Sequence, residues 1–160
     1  MKELQSEIEI DASAESVWRI LTDFSSYPQW NPFIRRISGE LATGERLEVR
    51  LEPPESRGII LRPAVLNAEP NHQLRWLGHL FVPGLFDGEH SLSIQPLEEN
   101  RVHFVQREAF KGLLVPLFAR SLDNNTRRGF EEMNRALKER AEAPPSRSPR
   151  DAVSPTEEEG

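Results

Sequence analysis

Residues 89–110 read EHSLSIQPLEENRVHFVQREAF, and residues 118–141 read FARSLDNNTRRGFEEMNRALKERA. The first stretch is divided by Glu98-Glu99-Asn100, a turn. On either side of it, polarity alternates with a period of two. His90, Leu92 and Ile94 share one face of the first segment; Val102, Phe104, Gln106, Glu108 and Phe110 share one face of the second. Two alternating strands joined by a short turn are antiparallel neighbours. The period then changes. Phe118, Leu122, Asn125, Phe130, Met133, Leu137 and Ala141 recur at helical spacing, and Arg127, Arg128, Glu131, Glu132, Arg135, Lys138 and Glu139 fall mostly on the other side. Pro116 suits the first turn of that helix, where its missing N–H matters least. One long amphipathic helix after a run of strands has to bury its apolar stripe against their sheet.

Reading upstream adds the remaining strands. Leu4, Ser6, Ile8 and Ile10 fall on one face of an N-terminal strand, and Glu3, Gln5, Glu7 and Glu9 on the other. Ser13 or Asp11 caps a helix through Val17, Trp18, Ile20 and Leu21. Pro28 and Pro32 bracket the next segment, which reads as a short helical turn or an ordered loop anchored by Tyr27 and Trp30. Strands are expected over Phe33–Leu41, Arg46–Glu52, Gly58–Ala68 (with Pro63 implying an edge or a bulge) and Gln73–Phe81. Pro83 to Gly88 reads as a loop. The expected fold is therefore α+β: a curved antiparallel sheet of about seven strands around a long C-terminal helix, with short helices between strands one and two. Strong curvature leaves a cavity between sheet and helix.

Composition bounds the function. The chain has 160 residues, a one-domain length, and a net charge of −6 that argues against nucleic acid. The same charge disfavours an anionic membrane as a standing partner, while leaving room for a local basic patch. The absence of cysteine removes disulfides, thiol nucleophiles and cysteine-based zinc sites together. The first ten residues lack the basic start and apolar run of a secretory signal, and no stretch is long and apolar enough for stable membrane insertion. The expectation is a soluble, cytoplasmic protein. Residues 143–160 are rich in Pro, Ser and charge and are expected to be a disordered tail behind a ligand-binding domain of 1–142. Its functional alternative is a motif for a protein partner.

At the N-terminus, Ile8-x-Ile10-x-Ala12-x-x-Glu15-x-Val17-Trp18 is followed by Leu21-Thr22-Asp23 and Tyr27-Pro28-x-Trp30-Asn31-Pro32. Further on come Leu74-x-Trp76-x-Gly78, Gly88-Glu89-His90, Phe104-x-Gln106-x-Glu108-x-Phe110-x-Gly112 and Gly129-Phe130-x-x-Met133-Asn134-x-x-Leu137-Lys138. Over about residues 3–142 this pattern resembles the SRPBCC superfamily, which includes START lipid-transfer domains, polyketide cyclases and birch-pollen-allergen-like proteins. The resemblance implies a helix-grip fold. It also implies a cavity for a small hydrophobic molecule, with enzymes a minority among members. Fold does not carry function over.

No phosphate-binding glycine loop, nucleophile elbow or His-Glu-x-x-His is present. The informative residues are polar ones on faces that look inward. Leu74, Trp76, Gly78 and Leu80 share a face, which puts His90, Gln106 and Glu108 in the cavity with Trp76 and Phe104. A buried carboxylate beside an imidazole is costly unless paired. Three readings stay open: a structural pair pinning two strands, an anchor for a ligand, or a general base with its orienter, His90 and Glu108 being the catalytic candidates. The expected ligand-binding set is Trp30, Trp76, Gly78, His90, Leu92, Phe104, Gln106, Glu108, Asn125 and Phe130, with Phe81, Leu85 and Phe86 as the cavity rim. Trp18 reads as core. Gly129 leaves room where a side chain would fill the cavity or clash with a strand. His72, His79, His90 and His103 lack metal-ligand spacing, and His79 and His103 read as solvent-facing, so neither metal nor cofactor is expected. Three functions follow: a binding or carrier protein, a cyclase- or dehydratase-like enzyme, and an adaptor with a filled core whose cavity is below roughly 300 Å³.

Overall fold

The computed structural model describes residues 1–144. In chain order these form β1 (Lys2–Ile10), α1 (Ala14–Thr22), a 3₁₀ turn (Phe24–Ser26), α2 (Tyr27–Trp30), β2 (Ile34–Ser38), β3 (Glu48–Leu51), β4 (Ile59–Leu61), β5 (Ala64–Glu69), β6 (Gln73–Leu80), β7 (Phe86–Glu98), β8 (Arg101–Lys111), α3 (Val115–Ser121), a π-helical turn (Leu122–Thr126) and α4 (Arg127–Glu142). From residue 145 on, the tail inferred from composition lies outside the described residues.

Five strands pair antiparallel in the order β1-β8-β7-β6-β5, and three more in the order β2-β3-β4. The two groups meet where Arg46 bridges Ala64. There Leu47 N–H donates to Pro63 O at 2.9 Å, and Val65 N–H to Glu45 O at 2.8 Å. The smaller sheet thus continues the larger one around a bend. Pro63 is the reason for the break. It has no N–H for the ladder, so the expected strand over Gly58–Ala68 divides into β4 and β5, and eight strands form. β2 ends at Ser38 because Gly39 turns the chain at φ +124°. β7 starts earlier than expected, inside the segment read as a loop.

Local chemistry explains the helices. Ser13 caps α1, its hydroxyl accepting from Ser16 N–H at 3.1 Å. Asn31 closes α2 by accepting from the N–H groups of Phe33 and Ile34 at 3.0 and 2.8 Å. Tyr27 is fully buried and donates to Leu21 O at 2.6 Å; burial pushes its hydroxyl pKa up, with the nearby Asp23 charge adding to the shift. α4 lies against β1 and β8 and buries Phe130, Met133 and Leu137. Among the described residues no helix is long and apolar enough to cross a membrane.

Gly129 sets how closely α4 approaches the rest. A Cβ there would lie 2.4 Å from Phe33 Cδ2, and Phe33 is itself buried edge-on against Phe130. Gly129→Ala gains about 1 kcal/mol of helix propensity and incurs about 1–3 kcal/mol of overpacking. We expect a net loss of up to about 2 kcal/mol, read as a lower urea midpoint with unchanged slope. A raised midpoint would show that Phe33 has free space to move into.

Candidate functional site

The strand register lays the sheet's inner face out in rows. Leu74, Leu92, Gln106 and Ser6 stand side by side across β6, β7, β8 and β1. The next row is Val65, Trp76, His90, Glu108 and Leu4, and the one after it holds Gly78, Gly88 and Phe110. α4 covers the first of these rows: Asn134, buried on its inner side, accepts from Gln106 Nε2 at 2.9 Å and donates from Nδ2 to Ser6 Oγ at 3.0 Å. The cavity begins one row further on.

That cavity measures about 260 Å³ and is walled mainly by apolar side chains. Trp76, Gly78, Phe86, Gly88 and Phe110 form its sheet side; Val49, Leu51 and Leu61 close the bend; Phe118, Leu122 and Thr126 come from the helix. It is hollow because Gly78 and Gly88 face each other across β6 and β7. A Cβ at Gly78 would meet only Pro63, at 3.6 Å. A second depression of about 330 Å³, on the outside between α2 and β2–β4, is lined by Arg36, Glu48 and Arg50 and holds none of the residues singled out above. It is larger, but no buried polar group faces it, and we place the site in the first.

Two polar groups, Glu108 and His90, reach the cavity from a buried network. Glu108, its side chain only 14% exposed, lies with Oε2 3.3 Å from Nδ1 of His90. His90 stacks on Trp76 (ring centroids 5.1 Å apart) and meets Phe130 edge-on at 5.2 Å. Its Nε2 is 3.0 Å from Gln106 Oε1. A continuous chain thus runs Glu108–His90–Gln106–Asn134–Ser6, through β8, β7, β8 again, α4 and β1.

The direction of this chain governs the tautomer of His90. Gln106 donates to Asn134, so its oxygen must accept from His90 Nε2–H. A neutral ring so arranged turns a bare Nδ1 toward Glu108, and the 3.3 Å separation there is a contact of ion-pair range and not a hydrogen bond. If both amides turn over, every bond in the chain reverses. Nδ1 then carries the proton and faces the Glu108 carboxyl. Gly88 gives the carboxylate its place: a Cβ there would lie 2.5 Å from Glu108 Oε1.

The structure brings together only part of the set read from the sequence. Trp76, Gly78, His90, Glu108 and the rim residue Phe86 line the cavity. Leu92, Phe104, Gln106 and Phe130 are buried behind it and do not line it. Asn125 is half-buried outside the wall. The wider π turn places Thr126, not Asn125, one turn beyond Leu122 on the cavity side. Trp30 packs edge-on against Tyr27, away from the cavity, with Nε1 buried and unpartnered. Leu85 and Phe81 lie outside the lining, and Phe81 is 68% exposed. His103 pairs with Glu7 at 3.0 Å on the outer face. His79, at the cavity edge, pairs with Asp87 at 2.7 Å. Among the described residues, no three His, Cys, Asp or Glu side chains group in a way that could hold a metal ion. Asn134 and Gly88 went unselected as site residues in the sequence. Asn134 had a signal, lying four residues beyond Phe130 on the buried stripe; Gly88 had none apart from its motif.

Gln106→Leu keeps the volume but strands His90 Nε2 and Asn134 Oδ1. We expect a loss of about 2–4 kcal/mol in unfolding free energy, and ring ¹⁵N spectra of the native protein showing His90 protonated at Nε2. A bare Nε2 would establish the reversed chain. Asp87 offers a pH test at the cavity edge. Its hydrogen bond to His79 holds its carboxyl below the usual range, with the Gly84 N–H contributing. A depressed folded pKa gives stability present above the ordinary value of about 3.9 and lost as pH falls through the folded one. The Gly84 amide signal should therefore keep its native position down to about pH 4 and move only below it. Movement at higher pH would mean the Asp87 contact does not hold the loop.

The architecture has relatives among solved structures. A START superfamily protein from Mycobacterium smegmatis superposes with a TM-score of 0.67 at 26% identity, covering 88% of this chain and 97% of that one. The Zhui aromatase/cyclase from Streptomyces sp. R1128 gives 0.68 at 16% identity, covering 88% and 93%. A norcoclaurine synthase from Thalictrum flavum gives 0.66 at 14%, again covering 88% and 93%. These likenesses confirm the helix-grip fold. No curated protein matches this chain. A family model described as polyketide cyclase / dehydrase and lipid transport matches residues 1–142, and the chain belongs to that family, within the SRPBCC superfamily.

Proposed function

We propose that this protein binds a small apolar or amphipathic molecule in the cavity, with a polar atom of the ligand seated on the Glu108 carboxyl. The observation that carries the reading is a largely buried carboxyl–imidazole pair, its imidazole hydrogen-bonded to Gln106, facing a mainly apolar cavity. Drug-sized ligands occupy sites of about 300–1,000 Å³, and this cavity is slightly smaller at about 260 Å³. A cavity of about 150 Å³ holds benzene. The size therefore suits a molecule of one or two rings, and excludes a whole polyketide chain or a two-chain lipid in this conformation. Volume alone would also suit an adaptor with a filled core. The hollow left by paired glycines beside a carboxyl favours a ligand. In this proposal the binding unit is residues 1–142 and its compartment the cytoplasm.

A second reading has its own support. An imidazole and a carboxyl stand 3.3 Å apart at the cavity wall, the kind of pairing that a general base and its orienter use. The aromatase/cyclase and the norcoclaurine synthase are enzymes by name, but at their identities the likeness is one of fold, so the reaction has to be argued from His90 and Glu108.

Native mass spectrometry of gently purified protein, with released molecules identified, tests the binding reading. We expect about one small ring compound per chain. Gly78→Val should narrow the cavity and lower the bound fraction while leaving the melting temperature unchanged or raised. Glu108→Gln should weaken binding by about 10- to 100-fold, the worth of a hydrogen bond to a charged group. A protein that stays empty after incubation with aromatic compounds, and is indifferent to Gly78→Val, points to the filled-core adaptor. If a bound compound is turned over, His90→Asn and Glu108→Gln separate the remaining readings. A rate loss of about 10²–10⁴ with binding preserved marks an acid–base enzyme; a parallel loss of both marks an anchor.

A further inference from the structure

We propose that the end of the molecule formed by residues 81–86 and 111–121 docks on an anionic lipid surface. Two chain segments meet there. Leu113 N–H donates to Gly84 O and Leu114 N–H to Leu85 O, at 3.2 and 2.9 Å. Gly112, at φ +132°, allows the approach, since a Cβ would lie 2.3 Å from Leu85 O. Phe86 then packs edge-on against Phe118 at 5.6 Å. Beyond this contact both segments project apolar side chains outward. Phe81 is 68% exposed, Val82 60%, Leu113 81%, Leu117 77% and Phe118 42%. Scattered exposed apolar residues are ordinary; five large ones on two hydrogen-bonded segments make a patch that wants a partner.

Charge selects the partner. The whole chain carries −6, yet these two segments contain Lys111 and Arg120 and no Asp or Glu. Both cations are exposed, and neither joins an ion pair among the described residues. The neighbouring carboxylates are already engaged, Asp87 with His79 and Asp123 with Lys2 at 2.8 Å. Apolar side chains flanked by free cations match the boundary of an anionic bilayer, where the former enter the acyl region and the latter stay with the headgroups. Net charge keeps the rest of the molecule off the surface and orients this end toward it. Phe118 belongs both to the patch and to the cavity wall, so the docked end is also a side of the cavity. The proposal stands whether or not the cavity binds a ligand.

Flotation with vesicles of phosphatidylcholine, and of phosphatidylcholine mixed with phosphatidylglycerol, tests it on the full chain. We expect co-flotation with the mixed vesicles only, weakened by added salt. Lys111→Gln and Arg120→Gln should each weaken it about fivefold. The double variant Phe81→Asp/Leu117→Asp should lose more than about tenfold. Both of its sites are exposed and outside the cavity lining, so its melting temperature and its binding of any cavity ligand should match the parent's. Absence of binding to mixed vesicles overturns the proposal, as does equal binding by the double variant. Concentration-dependent dimerisation that the double variant abolishes, without lipid binding, would reassign the patch to a second copy of the chain.

Discussion

The register of β7 on β8 is the constraint on which the site depends. It sets His90 opposite Glu108 and Leu92 opposite Gln106. Because side chains alternate along a strand, a slip of one residue would turn Arg107, Val105 and His103 inward and send the polar chain to solvent. The short turn between Glu98 and Arg101, with the irregularity at Pro96, pins that register. The outer face agrees with it: Glu3, Glu7 and Glu9 of β1 meet Arg107, His103 and Arg101 of β8. Such exposed pairs contribute little energy singly, yet in a slipped register they would face apolar groups.

The polar chain from Glu108 to Ser6 serves fold and site at once. Each buried member has a partner, which is the condition under which a polar network rigidifies a core. It fastens α4 to β8 and β1 through Asn134, and it delivers one carboxyl to the wall of an apolar cavity. Hydrophobic burial closes the sheet onto the helix as far as the Gln106 row. Beyond that row, Gly78 and Gly88 contribute no side chains, and the helix passes through a π turn. Fewer atoms are available to fill the space, and a hollow remains. The same end of the molecule carries the exposed apolar residues, so departures from close packing are concentrated there.

Much of this was legible as pattern. Period two announced the hairpin and the inward placement of His90, Gln106 and Glu108; period 3.6 announced the helix and its buried stripe. What pattern cannot do is separate residues that face inward from residues that face an open cavity. Leu92, Phe104 and Gln106 lie on the inner face with Trp76 and His90, but α4 covers their part of the sheet. Asn125 illustrates a second limit. Its place on the stripe assumes a regular helix, and one π turn shifts the phase toward Thr126. Pro63 is a middle case: its missing donor foretold an irregular strand, without saying that the strand would be divided where the two sheets join.

By itself, then, the sequence determined most of the elements, the antiparallel pairing of consecutive strands and which polar residues must find partners inside, because alternation and helical spacing are local properties enforced by the cost of burying unpaired groups. Tertiary structure alone decided how far the helix runs along the sheet, which row becomes the cavity wall, and that Asn134 completes the chain begun at Glu108. Those outcomes depend on distances between segments far apart in the chain. They are set by close packing at contacts such as Gly129 on Phe33 and Gly88 beside Glu108, where a single added carbon would move the partner.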